Sequence, residues 1–394
     1  MTIFVSRLLN RFNPPTRAVG LQRLLEPLAV RQPLVYRALV TLVALAGYLL
    51  LLLFPLIALG LLGDLSRQWQ IASTWQEWLW SGLDLLIILF ALALSSPLLF
   101  NRFALPRGLE VHRQNAPKLF QLVEQLRQDF KYPVLDQIIL RDGFGVEVIR
   151  TPRLGLPLLY QHTLVIGLDS LLTLPPTHFK SALARRIGQL SGIHNRHVGW
   201  LASLCQTWQH YHQAFKQQRS PLARPLQWLF AIYAPFYTAL AFYAVRQNEL
   251  EADRYALDIA NDDEIASLFS QLIVTETFLK NRFWPKITQL ARRESQPEHR
   301  PYASMVQVLR RGLNREEMQQ WIKDAFDTPS DVKDPTPLLQ QRLENIGHHK
   351  PASPQPIKET AADTFLDPTV KQKIVDKFDQ RWLAKLKHQS HTSG

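Results

Sequence analysis

The sequence predicts an α+β protein, mostly helical with a small β-sheet, preceded by a hairpin of two transmembrane helices. Three observations carry this. Two long apolar runs, Ala38 to Leu62 and Leu79 to Phe100, hold a single charged residue between them, Asp84. Three short runs that follow, Gln137–Leu140, Val146–Ile149 and Thr163–Ile166, read as strands separated by Asp142-Gly143 and the Pro152–Pro157 loop. Beyond them the apolar residues recur mainly at helical spacing, beginning with Leu183, Ile187 and Leu190.

Residues 1–37 form a basic segment, with six arginines from Arg7 to Arg37 against one acid, Glu26. The apolar run behind them is too long for a signal peptide, and no small-residue cleavage site closes it. The first span, 38–62, is about 25 residues at about 1.5 Å each, which covers a hydrocarbon core of about 30 Å with some tilt. Pro55 is its kink position. The second span, 79–100, has Trp78 and Trp80 as interfacial anchors, and Asp84 in its first turns reaches the interface. Between the spans the only basic residue is Arg67; after them come Arg102, Arg107, Arg113 and Lys118. The positive-inside rule therefore puts the N-terminus and the large C-terminal part in the cytoplasm, as in a multi-pass protein of a bacterial-type inner membrane. The net charge of +12 fits a protein facing anionic lipids. No nucleic-acid module accompanies that charge, so nucleic acid is not an expected partner. The single cysteine, Cys205, excludes an internal disulfide framework.

In the main domain, residues 105–347, Asn115-Ala-Pro117 reads as a helix start with Asn115 as cap. A helix over about Thr177–Ile193 follows the strands, and another spans His197 to about Gln218. Leu226–Val245 is apolar, contains Pro235, and reads as a buried or membrane-apposed helix rather than a third span. The next helix ends near Ala260-Asn261. Further helices are expected over Glu264–Phe283, stopped by Pro285, and over Ser304–Asp324. Residues 348–368 read as a Pro-rich linker, and 369–388 as an amphipathic helix that docks on the domain or lies on the membrane.

The chemistry-bearing stretch is Arg185-Arg186-Ile187-Gly188-Gln189, met again about sixty residues later by Glu249-Leu-Glu-Ala-Asp253. With Gly145-Val-Glu-Val-Ile-Arg-Thr-Pro, His162-Thr-Leu-Val-Ile-Gly167, Phe283-Trp-Pro285 and Pro337-Leu-Leu-Gln-Gln-Arg342, this ensemble resembles the gluzincin metallopeptidase family of the heat-shock peptidase HtpX and the CAAX prenyl protease. The resemblance covers residues 105–347. It implies a gluzincin-like domain whose active members hold zinc through His-Glu-x-x-His on one helix and a Glu on the next, with a second-shell Asp. Here Glu249 takes the third-ligand position and Asp253 the second-shell one.

The departures from that pattern decide the functional expectation. Arg185 stands at the first His, Arg186 at the Glu base and Gln189 at the second His; the family's late Thr-His-Pro appears as Thr336-Pro337. One carboxylate cannot build the three-ligand open site of catalytic zinc, and permanently charged guanidiniums repel a cation and cannot act as bases. No metal or other cofactor is therefore expected. A site rebuilt from His178, His194 and His197 is a minor alternative. The sequence points to a proteolytically inactive, membrane-anchored module that binds membrane lipids and a polypeptide or partner protein. The rival is an active integral-membrane zinc endopeptidase of the HtpX type in membrane protein quality control. An Arg185 salt bridge to Glu249 or Asp253 is expected in place of the metal, with Gln189 bonded nearby and Arg186 turned toward the substrate cleft.

Overall fold

A computed structural model describes residues 16–71, 74–99, 103–153, 156–191, 196–293, 299–311, 313–329, 334–354 and 357–392. Helix α1 (Thr16–Arg31) leads into α2 (Pro33–Ile71), and α3 (Trp75–Leu99) packs back along it through Ala58, Leu65, Ile88 and Ala91. Both α2 and α3 are long and apolar enough to cross a membrane. Their outward positions carry leucine, as at Leu59, Leu62, Leu86 and Leu89, the pattern of helices that meet an apolar medium on their free sides. Helix α2 outruns the predicted 38–62 at both ends. Pro33 begins it, where a missing N–H costs nothing, and Pro55 lies inside it without ending it.

The sheet is built from β1 (Leu109–Val111), β2 (Gln137–Arg141), β3 (Val146–Arg153) and β4 (Leu156–Gly167), in the order β1-β2-β4-β3. Strands β2 and β4 run parallel and the other neighbours antiparallel. The β3–β4 ladder is longer than the predicted pieces because Pro152 does not break it. Pro152 pairs opposite Tyr160 on an edge strand, where a missing donor is tolerated, and the register slips at Pro152/Arg153. Gly143 and Gly145, at φ +111° and +123°, turn the chain into β3, and Gly145 O accepts from Gly167 N at 2.7 Å.

Helix α4 (Pro117–Asp129), which lies between β1 and β2 in sequence, corrects the expected cap. Ala116 occupies the cap position, and Asn115 is spent in a turn whose N–H donates to His112 O. After β4 come α5 (Leu168–Thr173), the motif helix α6 (Pro176–Ser191) and α7 (Arg196–Gln217). His194 lies outside the described residues. Leu226–Val245 is not one helix. Helix α8 (Arg224–Leu240) meets α9 (Phe242–Leu257) at a 55° bend, closed by Tyr36, whose hydroxyl donates to Leu240 O and accepts from Ala244 N.

Helix α10 (Asp262–Phe278) starts at an Asn261 cap and passes through a wide turn, Leu279–Phe283, into α11 (Trp284–Arg293). Pro285 thus sits in the first turn of α11 rather than stopping a helix, since a proline there has no N–H to lose. The expected 304–324 helix is two, α12 (Pro301–Arg310) and α13 (Arg315–Asp327), the second capped by Asn314. Helices α14 (Leu339–Asn345), α15 (Ala361–Phe365) and α16 (Pro368–Thr392) complete the chain.

The linker expectation for 348–368 needs correction. Ala361 N donates to Leu174 O, and Thr360, Ala361 and Ala362 are buried, so the part of the segment around residues 360–362 packs into the domain. Helix α16 docks on the domain by burying Ile374, Val375 and Phe378. One core joins the sheet, α4, α6, α10 and α16; a second joins α7, α8 and the first half of α2.

Candidate functional site

Helices α6 and α9 cross closely because position 188 has no side chain. A Cβ on Gly188 would lie 2.4 Å from Tyr255 Cγ, so the Tyr255 ring occupies that space. This approach turns Arg185, Arg186 and Gln189 toward Glu249 and Asp253, and brings all five residues into the interior, each less than 9% exposed.

The five form one ion-pair network. Arg185 Nε donates to Asp253 Oδ1 at 2.6 Å, and its Nη2 lies 3.6 Å from Glu249 Oε2. Arg186 Nη1 donates to Glu249 Oε1 and to Gln189 Oε1, both at 2.7 Å. Gln189 Nε2 donates to Glu249 Oε1 at 3.0 Å. Arg342, on α14, adds a second guanidinium to Asp253, with Nε 3.1 Å from Oδ2 and Nη2 3.0 Å from Oδ1. Its Cζ also lies 3.7 Å from the Phe269 ring centroid, a cation–π contact.

The electrostatics follow from burial. Desolvation alone would raise the Glu249 carboxyl, but Arg186 and Arg185 outweigh it and hold the group down at about 2. Desolvation and the neighbouring Arg342 pull the Arg185 guanidinium down to about 9, which leaves it charged at neutral pH. Charged groups on both sides of the network are therefore paired, as buried charge requires.

Sequence reasoning anticipated the Arg185 contacts to both carboxylates and the nearby Gln189. It misplaced Arg186, which turns inward to Glu249 and Gln189 because an acceptor with two buried oxygens offers more than water at a cleft edge. It also gave no ionic role to Arg342, and it missed Glu147. That carboxylate, on edge strand β3, is buried and pushed up by desolvation despite Arg141 at 3.6 Å and the nearby Arg186. The signal was present as an acid inside the apolar run Val146–Ile149.

The zinc of the resembling family does not fit these residues. Guanidiniums offer no lone pair to a metal, and Glu249 Oε1 already accepts from Arg186 and Gln189. Of the alternative histidines, His194 lies outside the described residues, and the other two have different surroundings. His197 Nε2 bonds Thr41 Oγ1 at 2.9 Å, whereas His178 is buried with neither ring nitrogen hydrogen-bonded, its pKa lowered by desolvation to about 4. Among the described residues, no group of three His, Cys, Asp or Glu is placed to hold a metal ion. Chemically the network can fix two helices against each other, and it contains no group free to take a proton from water. No family model, curated protein or solved structure matches this chain.

Proposed function

We propose that this chain is a membrane-anchored, degenerate gluzincin-type domain that binds or regulates a polypeptide and does not cut it. The observation that carries the reading is the pairing of Arg185 and Arg186 with Asp253 and Glu249, where the resembling peptidases keep their ligands and base. Edge strand β3 beside this network is the natural place for an extended peptide to add as a further strand. The anchor is the α2–α3 hairpin, and the positive-inside rule favours a cytoplasmic domain in an inner-membrane setting. Elemental analysis of detergent-purified, tag-free protein tests the reading and should find well under one zinc per chain. A full equivalent of zinc that is lost on Glu249→Ala would replace it with the active HtpX-type endopeptidase.

A further inference from the structure

The bend between α8 and α9 has no cause in its own sequence. Residues 236 to 248 contain neither proline nor glycine, and Ala239-Leu240-Ala241 is a run of good helix formers. Pro235 lies inside α8, six residues before the break at Ala241. A sharp bend without proline or glycine points to a group inserted into the ladder of backbone hydrogen bonds. That group is the Tyr36 hydroxyl. It donates to Leu240 O at 2.7 Å and accepts from Ala244 N at 3.2 Å. These two backbone groups, four residues apart, are the pair that a continuous α-helix would join to each other.

Tyr36 is held in this place by its neighbours on α2. Its ring packs edge-on against Tyr243, with centroids 6.1 Å apart. Arg37 Nη2 donates to Gln247 Oε1 on α9 at 3.2 Å, and Thr41 Oγ1 bonds His197 Nε2 at the start of α7 at 2.9 Å. The first turns of α2 are thus wedged among α7, α8 and α9. Helix α8 is also fixed to α7, through Tyr237 Oη to Leu201 O at 3.0 Å and Gln227 Nε2 to Phe215 O at 2.9 Å. A change of bend is therefore taken up by α9. Glu249 lies five residues beyond Ala244, about 7.5 Å along the axis, so opening the 55° bend would swing it by about 6 Å. Its hydrogen bonds from Arg186 and Gln189, at 2.7 and 3.0 Å, do not survive such a displacement.

We propose that Tyr36 is a positioning residue for the arginine network and that α2 is its lever. With the hydroxyl in the ladder, the α8–α9 pair is bent and Glu249 meets Arg186 and Gln189. With the hydroxyl withdrawn, Leu240 O and Ala244 N close their own bond, the pair straightens and Glu249 leaves Arg186. Two alternative partners for the same two backbone groups make this a two-state element. A shift of α2, a helix long and apolar enough to cross a membrane, is thereby coupled to the ion pairs of the domain. The coupling does not depend on the metallopeptidase reading.

The test uses the full chain in detergent micelles, in a Cys205→Ala background. Spin labels at Trp228→Cys and Arg254→Cys stand on exposed positions thirteen residues to either side of Ala241. Their separation, read by pulsed electron–electron resonance, should lengthen by about 4 Å in Tyr36→Phe as the 55° bend opens. Tyr233→Phe is the control, because it removes another hydroxyl bond between α8 and α2, to Val43 O, away from the bend. It should leave the distance unchanged. The network is read by hydrogen exchange at Arg185 Nε–H, which donates to Asp253 Oδ1, the signal being assigned by its absence in Arg185→Lys. Exchange should be at least about tenfold faster in Tyr36→Phe and unaltered in Tyr233→Phe. Adding Ala244→Pro to Tyr36→Phe should restore both readings, since a proline there cannot close the bond to Leu240 O and sits in the first turn of α9. An unchanged distance in Tyr36→Phe, or equal lengthening in Tyr233→Phe, would overturn the proposal. So would a longer distance with unaltered exchange, which would separate the bend from the network. Should Tyr36→Phe not fold, the double variant decides: it should fold with the original distance, and its failure to fold would also overturn the proposal.

Discussion

Arg185 is 1% exposed and its partner Asp253 is fully buried, so neither can fall back on water when the other is removed. Arg185→Ala strands part of the negative charge of Glu249 and Asp253 and should cost about 3–5 kcal/mol, read as a lower midpoint in chemical denaturation. Arg185→Lys should recover only part of this, because an ammonium cannot reach Asp253 and Glu249 with a planar fork. An unchanged midpoint in Arg185→Ala would mean that Arg342 and Arg186 carry the pairing alone. A second residue sets a pH dependence. Asp169 is buried, accepts from Trp284 Nε1 at 3.2 Å, and is pushed by desolvation from 3.8 to about 7. Because the folded state holds a proton that the unfolded chain releases, this contribution to stability is complete below about pH 4. It declines as pH rises to about 7. Glu249 acts in the opposite sense, stabilising above about 4.5 and losing that contribution as pH falls to about 2. Asp169→Asn should flatten the stability profile between about pH 4 and 7 while leaving the acid limb intact.

At the scale of elements, the α6–α9 crossing is the unit that makes the site. Gly188→Ala would place a methyl group against the Tyr255 ring, buried in a packed interior. It should destabilise by about 1–3 kcal/mol through forced separation of the two helices. Tyr255→Ala in the same background should relieve part of that, and strict additivity of the two would argue against the contact. Introducing the pattern of the resembling peptidases on α6 with Arg185→His, Arg186→Glu and Gln189→His tests the proposed frame itself. The new imidazoles would face Glu249, and the expected result is about one zinc per chain that is lost again on Glu249→Ala. Failure to bind metal in a folded triple variant would show that the α6–α9 spacing does not suit a zinc site.

At the scale of the whole molecule, two cores share one chain: the sheet with α4, α6, α10 and α16, and the α2–α7–α8 group. Helix α9 links them, with Ala244 in the second and Tyr255 in the first. The first of the long apolar helices and the domain are thus packed together rather than strung on a flexible tether. Topology is tested by cysteine labelling in a Cys205→Ser background. A cysteine at Ser66 should react with an impermeant reagent from outside and one at Ser353 should not. Reaction at Ser353 from outside would reverse the predicted orientation. Removing α16, residues 368–392, should lower stability by taking away the buried Ile374, Val375 and Phe378, each worth about 1.5–3 kcal/mol of burial, and uncovering the core they pack on, Tyr302 included.

The two long apolar helices, the sheet beside a polar-faced helix, and the mostly helical remainder were legible because each rests on local periodicity or on a run too apolar for any other placement. Helical spacing put 185 and 189 on one face and 249 and 253 on another, and that these two faces meet was an expectation taken from the family resemblance. What the sequence left undecided depends on distant partners. Pro285 and Pro152 looked like breaks, and became a helix start and an edge-strand position because their surroundings needed no N–H there. The segment 348–368 looked like a linker until Leu174 supplied an acceptor for Ala361. Arg186 was read as facing a cleft, and only the approach of α9 through Gly188 brought it to Glu249. A side chain's period fixes its face, whereas the partner across that face is set by tertiary packing.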